Sequence, residues 1–269
     1  MSDYDDNANF EPEELPEDAR EGEAREELEE FFEKNQDKVF FSRQIEVQYE
    51  NKYFHWVTNR ALRGLRGAGV LRSEERKLVT GGSIILSWHR SFRYYRRSAA
   101  QVVKLVEEYA DPNIGAALGL HGESMVLEGF ARSQFLMLGR DAKSFEGREW
   151  GQSEHNLDFI FQKDGRVYGG EVKNTLGYME YEELDAKIRI CEHLQIRPVF
   201  VVRMAPKTWV EEVRKRGGFT LILKYQLYPW SHRDLAKKVA SELGLPVDAP
   251  RRLYDGTMKR FVGWHDKQL

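Results

Sequence analysis

"LDFIFQKDGRVYGGEVKN", residues 157–174, decides how the larger part of this chain folds. Two β-prone runs flank Asp164–Gly165, a dipeptide suited to the positive-φ positions of a two-residue hairpin turn. Side chains alternate along a strand, so Leu157, Phe159 and Phe161 are expected on one face and Asp158 on the other. Glu171 and Lys173 likewise share a face that Val172 leaves. With the turn at Asp164–Gly165, Asp158 and Glu171 approach each other at the open end of the hairpin. Two carboxylates and an ammonium then meet at one edge of a sheet. Left unpaired at low dielectric, they would cost on the order of several kcal/mol. A divalent cation resolves the conflict, because the hard oxygens of Asp and Glu suit Mg²⁺. The ammonium is then available to a substrate anion or an attacking water.

Outward from the hairpin, residues 98–225 read as helices and strands of one α/β domain. "SAAQVVKLVEEYA" is a helix ended by Asp111–Pro112, "GESMVLEGFARSQ" a second, and "FLMLGRDA" a strand. After the hairpin come the amphipathic helix "YEELDAKIRICEHL", the buried strand "RPVFVVRM", the helix "KTWVEEVRKRG" and the strand "FTLILKY". This order predicts a mixed sheet with helices on its faces. Glu123 lies three, four and seven residues before Val126, Leu127 and Phe130, which places it amid an apolar helix face; Glu128 is off that direction. A buried carboxylate needs a partner, and the acidic hairpin can share one through metal or water. Asn174 is expected to contact substrate or to cap its strand, and Lys187 to face solvent. His121 and His155 have no zinc spacing, and Trp56, Trp88, Trp150 and Tyr178 read as core.

A helical Glu, then Asp158, a β-turn and Glu171–Val172–Lys173 resemble the PD-(D/E)xK nuclease superfamily, in particular its Holliday-junction-resolvase and restriction-endonuclease-like branch. The resemblance spans roughly residues 118–204, with Leu157 standing where the family name has proline. It implies that Asp158, Glu171 and the Val172 carbonyl hold one Mg²⁺ (with Mn²⁺ able to substitute) and that Glu123 reaches it directly or through water. It further implies that the metal polarises the scissile phosphate and acidifies a bound water. Lys173 would orient that water and offset the growing charge, giving 5′-phosphate and 3′-hydroxyl products.

Charge is unevenly distributed. Residues 1–30 hold 14 acidic side chains against Arg20 and Arg25, whereas Arg60–Lys104 holds 11 Lys/Arg against Glu74 and Glu75. Residues 1–23 are expected to be a disordered acidic tail. Residues 24–97 follow as a helix from Ala24, a short helix capped by Ser42, a third helix stopped at Gly67 or Gly69, and a β-hairpin turning at Gly81–Gly82. "VTNRALRGLRGAGVLRS" is similar to the recognition helix and first wing strand of winged helix-turn-helix modules. That resemblance implies that Thr58, Asn59, Arg60, Arg63 and Arg66 face DNA, and that Arg90, Arg93, Arg96 and Arg97, interleaved with aromatics, touch its backbone. Winged helices also dock proteins, so a protein partner is the competing expectation.

The remaining composition narrows the class. Hydrophobic residues make up 41% and no apolar run approaches the roughly 18 residues of a membrane span, so no membrane partner is expected. The acidic N-terminus is neither a signal nor a transit peptide. A lone Cys191 excludes a disulfide framework and a cysteine-ligated cluster, which makes the cytoplasm the default compartment. The expectation is a Mg²⁺-dependent DNA endonuclease; the alternatives are a DNA-binding regulator on an inert nuclease fold, or a nuclease docked to a larger complex. Cutting both strands of a duplex usually takes two sites, which favours a homodimer. Residues 226–269 add a helix and a basic-aromatic segment to which no role is assigned.

Overall fold

Apolar side chains at three- and four-residue spacing in 24–32 and 57–65 build the first core. The computed structural model describes residues 20–269, which divide into two units. Residues 20–115 with Lys237–Pro246 form the first, and Ala116–Ala236 with Val247–Leu269 form the second. The first unit runs α1 (Glu21–Lys34), β1 (Val39–Phe41), α2 (Ser42–Tyr49), α3 (His55–Gly67), β2 (Leu71–Lys77), β3 (Ser83–His89) and α4 (Arg96–Tyr109). Its three strands pair antiparallel in the order β1-β3-β2. Leu28, Phe32, Ile45, Val57, Leu62 and Leu65 pack into one cluster. Gly69, at φ +70°, ends the third helix, and Gly81 and Gly82 carry the positive φ of the hairpin turn.

Several expectations for this unit need correction. The acidic tail falls largely outside the described residues, but Glu21–Glu23 already belong to α1. Ser42 is not the cap of α2: Phe41 occupies that position, and the Ser42 hydroxyl instead accepts a hydrogen bond from Arg66 Nη2 at 2.8 Å. The strand β1 was not anticipated, since three residues are too few to show a period. Gln44 and Gln48 of α2 donate to the Leu243 carbonyl at 2.9 and 3.2 Å, which ties residues 237–246 to this unit.

The second unit begins within α5 (Pro112–Arg132) and continues through β4 (Leu136–Ala142), the short hairpin β5 (Ser144–Phe145) and β6 (Arg148–Glu149), β7 (Leu157–Lys163) and β8 (Arg166–Lys173). Then follow α6 (Tyr181–Leu194), β9 (Arg197–Val202), α7 (Lys207–Lys215), β10 (Phe219–Ile222), β11 (Gln226–Leu227), a 3-10 turn at Trp230–His232, the start of α8 (Arg233–Leu243), whose residues from Lys237 belong to the first unit, and then β12 (Val247–Asp248) and α9 (Asp255–Asp266). Five strands form a mixed sheet in the order β10-β9-β8-β7-β4. β4–β7 and β7–β8 are antiparallel, and β8–β9 and β9–β10 are parallel. The architecture is α/β with a helix-flanked mixed sheet, as the element order predicts.

Period-two alternation sorts the sheet's side chains between two helical layers. Phe159, Phe161, Tyr168, Val199 and Val201 face α5 and α9, packing with Phe130 and Phe261. Ile160, Phe200 and Val202 face the other way, against α6 and α7. Leu157 departs from its expected face and joins Ile160 in the α6 cluster. The unassigned basic-aromatic tail is α9. Its Met258, Phe261 and His265 recur at helical spacing and are buried, so this helix closes one face of the sheet.

The hairpin turn is the one expected, with Asp164 at φ +48° and Gly165 at φ +73°. Gly170 is required by packing, because a Cβ there would lie 2.3 Å from the Phe159 ring. Gly170→Ala is expected to cost about 1–3 kcal/mol and lower the urea midpoint accordingly. An unchanged midpoint would mean that the ring moves aside without loss. Among the described residues, no helix is long and apolar enough to cross a membrane.

Candidate active site

One position beyond the Phe159–Gly170 pair, the hairpin brings Asp158 opposite Glu171 at its open end. Asp158 Oδ2 accepts the Val172 N–H at 2.7 Å, a bond that ties the carboxylate to the neighbouring strand. Glu171 is 5% exposed and its Oε2 lies 2.6 Å from Lys187 Nζ, itself 5% exposed. Lys173, two residues on and on the same face, reaches Glu183 Oε2 at 3.0 Å. Asp158 and Glu171 thus lie together under Lys187 of α6, and Lys173 is tied to the same helix through Glu183.

Burial is the first cause of the electrostatics here. It pushes the Asp158 carboxyl up to about 6, opposed by the Val172 N–H and by Lys187, and reinforced by Glu123 and Asp141. Burial, and next the Asp158 charge, hold Glu171 well above the ordinary carboxylate range despite Lys187. A single ammonium therefore does not neutralise the pair.

Lys187 corrects the expectation that it faces solvent. It sits three residues after Leu184 and four before Cys191, both buried, so its position in the apolar stripe of α6 was readable from spacing. Glu123 lies at the border of its helix's buried stripe, which runs through Leu118, Gly122, Met125, Val126, Gly129 and Phe130. Its Oε2 meets Arg140 of the edge strand β4 at 2.9 Å. Glu128 is paired outside the site with Arg132 at 2.9 Å. Asn174 touches neither charge: its amide donates to the Leu118 and Leu227 carbonyls at 2.8 Å each, and its Oδ1 accepts the Leu227 N–H at 2.7 Å. It is a buried brace at the end of β8.

Whether this donor set suits a divalent cation is decided by its chemistry. Asp158 and Glu171 supply adjacent hard oxygens whose negative charge is held at a cost, and the backbone carbonyl of Val172 follows Glu171 directly in sequence. Among the described residues, no group of three acidic, imidazole or thiol side chains converges into a complete metal set. The pair fits a cation held by two carboxylates and a carbonyl; a three-carboxylate site including Glu123 is not assembled.

The basic positions of the first unit separate into two groups. Thr58 is fully buried, because it continues the stripe of Ala61, Leu62 and Leu65 at three-, four- and seven-residue spacing. It cannot face DNA in this arrangement. Arg66 is turned inward, donating to Ser87 Oγ at 3.1 Å and to Ser42 Oγ at 2.8 Å. Asn59 donates to Glu46 Oε1 at 3.2 Å. Arg60 lies over the Trp56 ring at 5.1 Å, half-buried, and Arg63 is exposed. Arg90, Arg93, Arg96 and Arg97 are exposed, beside Tyr94, which is 88% exposed, and Tyr95, which stacks on Trp88 at 4.0 Å.

No family model matches the sequence, and no curated protein matches it. One solved structure, described as the structure of an EndoMS–dsDNA2 complex, is similar at 14% identity and a TM-score of 0.25. The likeness covers 57% of this chain and 64% of that one, so the match spans less than two thirds of that chain. A TM-score of this size carries no argument, and the functional reading rests on the residues themselves.

Proposed function

We propose that the second unit is a divalent-cation-dependent nuclease of the PD-(D/E)xK type acting on DNA, and that the first unit is a winged helix-turn-helix module that supplies affinity. The supporting observation is the incompletely neutralised pair of half-buried Asp158 and buried Glu171, with Lys173 two residues on along the same strand face. Asp158, Glu171 and the Val172 carbonyl would hold Mg²⁺, with Mn²⁺ as a substitute offering the same preference for oxygen. The cation would supply Lewis-acid polarisation of a phosphate and acidification of a water.

The chain's own residues do the rest. The Val172 N–H fixes the Asp158 carboxylate. Lys187 holds the Glu171 rotamer and removes part of its charge penalty, which makes it a positioning residue. Lys173 carries an ammonium on the same face, held by Glu183, from which it can turn to a phosphate oxygen or a water. Arg60 and Arg63 with Arg90, Arg93, Arg96 and Arg97 present cations suited to a phosphate backbone.

One observation favours a second reading. Glu171 is already paired with Lys187, and Glu123 with Arg140. This arrangement also suits a DNA-binding regulator on an inert fold. Incubation of supercoiled plasmid and a four-way junction with Mg²⁺ or EDTA separates the two. Mg²⁺-dependent cutting that disappears in Lys173→Ala is expected. Tight, salt-sensitive binding of either DNA without cutting would move the assignment to the regulator.

A further inference from the structure

A basic-aromatic patch hangs from the strand that carries Glu171 and Lys173. Asn174, the next residue, holds Leu227 by both backbone groups, and Gln226 Nε2 donates back to the Asn174 carbonyl at 3.1 Å. β11, so anchored, pairs in parallel with β12. Trp230 follows three residues after Leu227, and Arg251 and Tyr254 follow β12, where the Tyr254 hydroxyl donates to Asp248. Trp230 and Tyr254 are 45% and 44% exposed, large areas for such side chains. Two guanidinium groups lie on the indole: Arg251 at 4.6 Å from its centroid and Arg233 at 4.8 Å. Arg252 and Lys224 are exposed nearby in sequence, and Tyr225 lies 6.1 Å from Tyr254. Among the described residues, neither Arg251 nor Arg252 is paired with a carboxylate, while Arg233 has Asp234 at 3.5 Å. A concavity of about 320 Å³ opens beside them, lined by Pro250, Arg251, Arg252, Leu253, Tyr254 and Asp255.

We infer that Trp230, Arg233, Arg251, Arg252 and Tyr254 form a stacking platform for an unpaired nucleic-acid strand, the part of the substrate that leaves the carboxylate site. That this strand belongs to a nuclease substrate rests on the function proposed above. An indole with cations around it offers a base a π-face and its phosphates their counter-charge, the combination that sequence-tolerant single-strand binding uses. An exposed cation–π contact is weaker than base stacking on the same ring, so an arriving base displaces a guanidinium. The displaced guanidinium is then placed to meet the phosphate beside that base. Asn174 and Gln226 hold the platform to the strand end, so its position relative to Lys173 is set by the fold.

The test is fluorescence anisotropy with the full chain, in EDTA, using a labelled dodecathymidylate and a blunt duplex of the same length. Trp230→Ala is expected to weaken dodecathymidylate binding about tenfold and duplex binding less than twofold, with an unchanged thermal midpoint. Trp230→Phe should retain most of the affinity, because a phenyl ring still stacks. Arg251→Gln with Arg252→Gln should flatten the logarithmic salt dependence by about 1.4, which is about 0.7 for each phosphate deprived of its cation. Equal dodecathymidylate affinity in wild type and Trp230→Ala would overturn the inference. Absence of dodecathymidylate binding by wild type at about 50 mM salt would do the same. So would polyglutamate that competes at equal charge and is equally sensitive to Trp230→Ala, since the surface would then serve an acidic protein. Binding in EDTA does not depend on cleavage, and cleavage of duplex does not need the platform, so the two readings fail separately.

Discussion

In EDTA at pH 8, Asp158→Asn is expected to unfold roughly 6 °C above wild type, and the proposed cleavage is expected to be lost with the same change. An Asn side chain can still accept the Val172 N–H, so the packing survives while the charge is removed. The Asp158 carboxyl is pushed up to about 6, first by burial, from an ordinary value near 4. A carboxyl with a raised folded value binds its proton more tightly in the folded than in the unfolded chain. It therefore favours folding below pH 4 and is a growing liability as pH rises through 6. At pH 8 the full difference, about 2–3 kcal/mol, is present. Removing it shifts the melting temperature by a few degrees per kcal/mol. The gain should shrink towards zero as the pH is lowered to 4. Cleavage should fall by roughly a thousandfold or more, the effect expected when charge stabilisation of about 4 kcal/mol disappears. Calorimetry over pH 4–8 beside a plasmid assay measures both. A variant no more stable than wild type at pH 8 would show that the pair carries no stored charge penalty.

Lys187→Met should have the opposite effect on stability. The ammonium lies 2.6 Å from Glu171 and both side chains are buried, so deleting one leaves an uncompensated group in a dry site. Breaking such a pair costs about 3–5 kcal/mol, whereas replacing both partners is far less costly. Lys187→Met combined with Glu171→Gln should therefore recover most of the stability, and a double-mutant cycle by urea unfolding measures the coupling. Independent, additive effects would mean that Lys187 fills space without holding Glu171.

Much of the site was legible from local pattern, and the rest depended on long-range partners. Asp158 and Glu171 are equally far from the Asp164–Gly165 turn, so a correct turn assignment was sufficient to bring them together. Glu123 was placed near the site, but its partner Arg140 comes from a different element and leaves no sequence signature. Lys187 and Thr58 were legible and misread: each sits on a buried helical stripe where residue type suggested the surface. The place of Arg66 on the third helix points it towards DNA, whereas it bonds to Ser42 and Ser87 on other elements. The helix α9 shows why composition misleads. Its basic residues drew attention, yet Phe261 and His265 inside the same segment bind it to the sheet, His265 through Tyr168 Oη at 2.7 Å. Trp230 has only Arg233 as a local neighbour; Arg251 is twenty-one residues away and arrives only when β11 meets β12.

Asp158 and Glu171 are proposed to bind a divalent cation together. Calorimetric titration of the metal-free protein with Mn²⁺ at pH 6, repeated in two buffers of different ionisation enthalpy, tests it most directly. Wild type should bind one cation per chain and release a fraction of a proton, since the Asp158 carboxyl, pushed up to about 6, is partly protonated at this pH and must ionise to become a ligand. Asp158→Asn should show neither. Wild type that binds no cation at millimolar concentration, or a variant that binds as wild type does, would contradict the account.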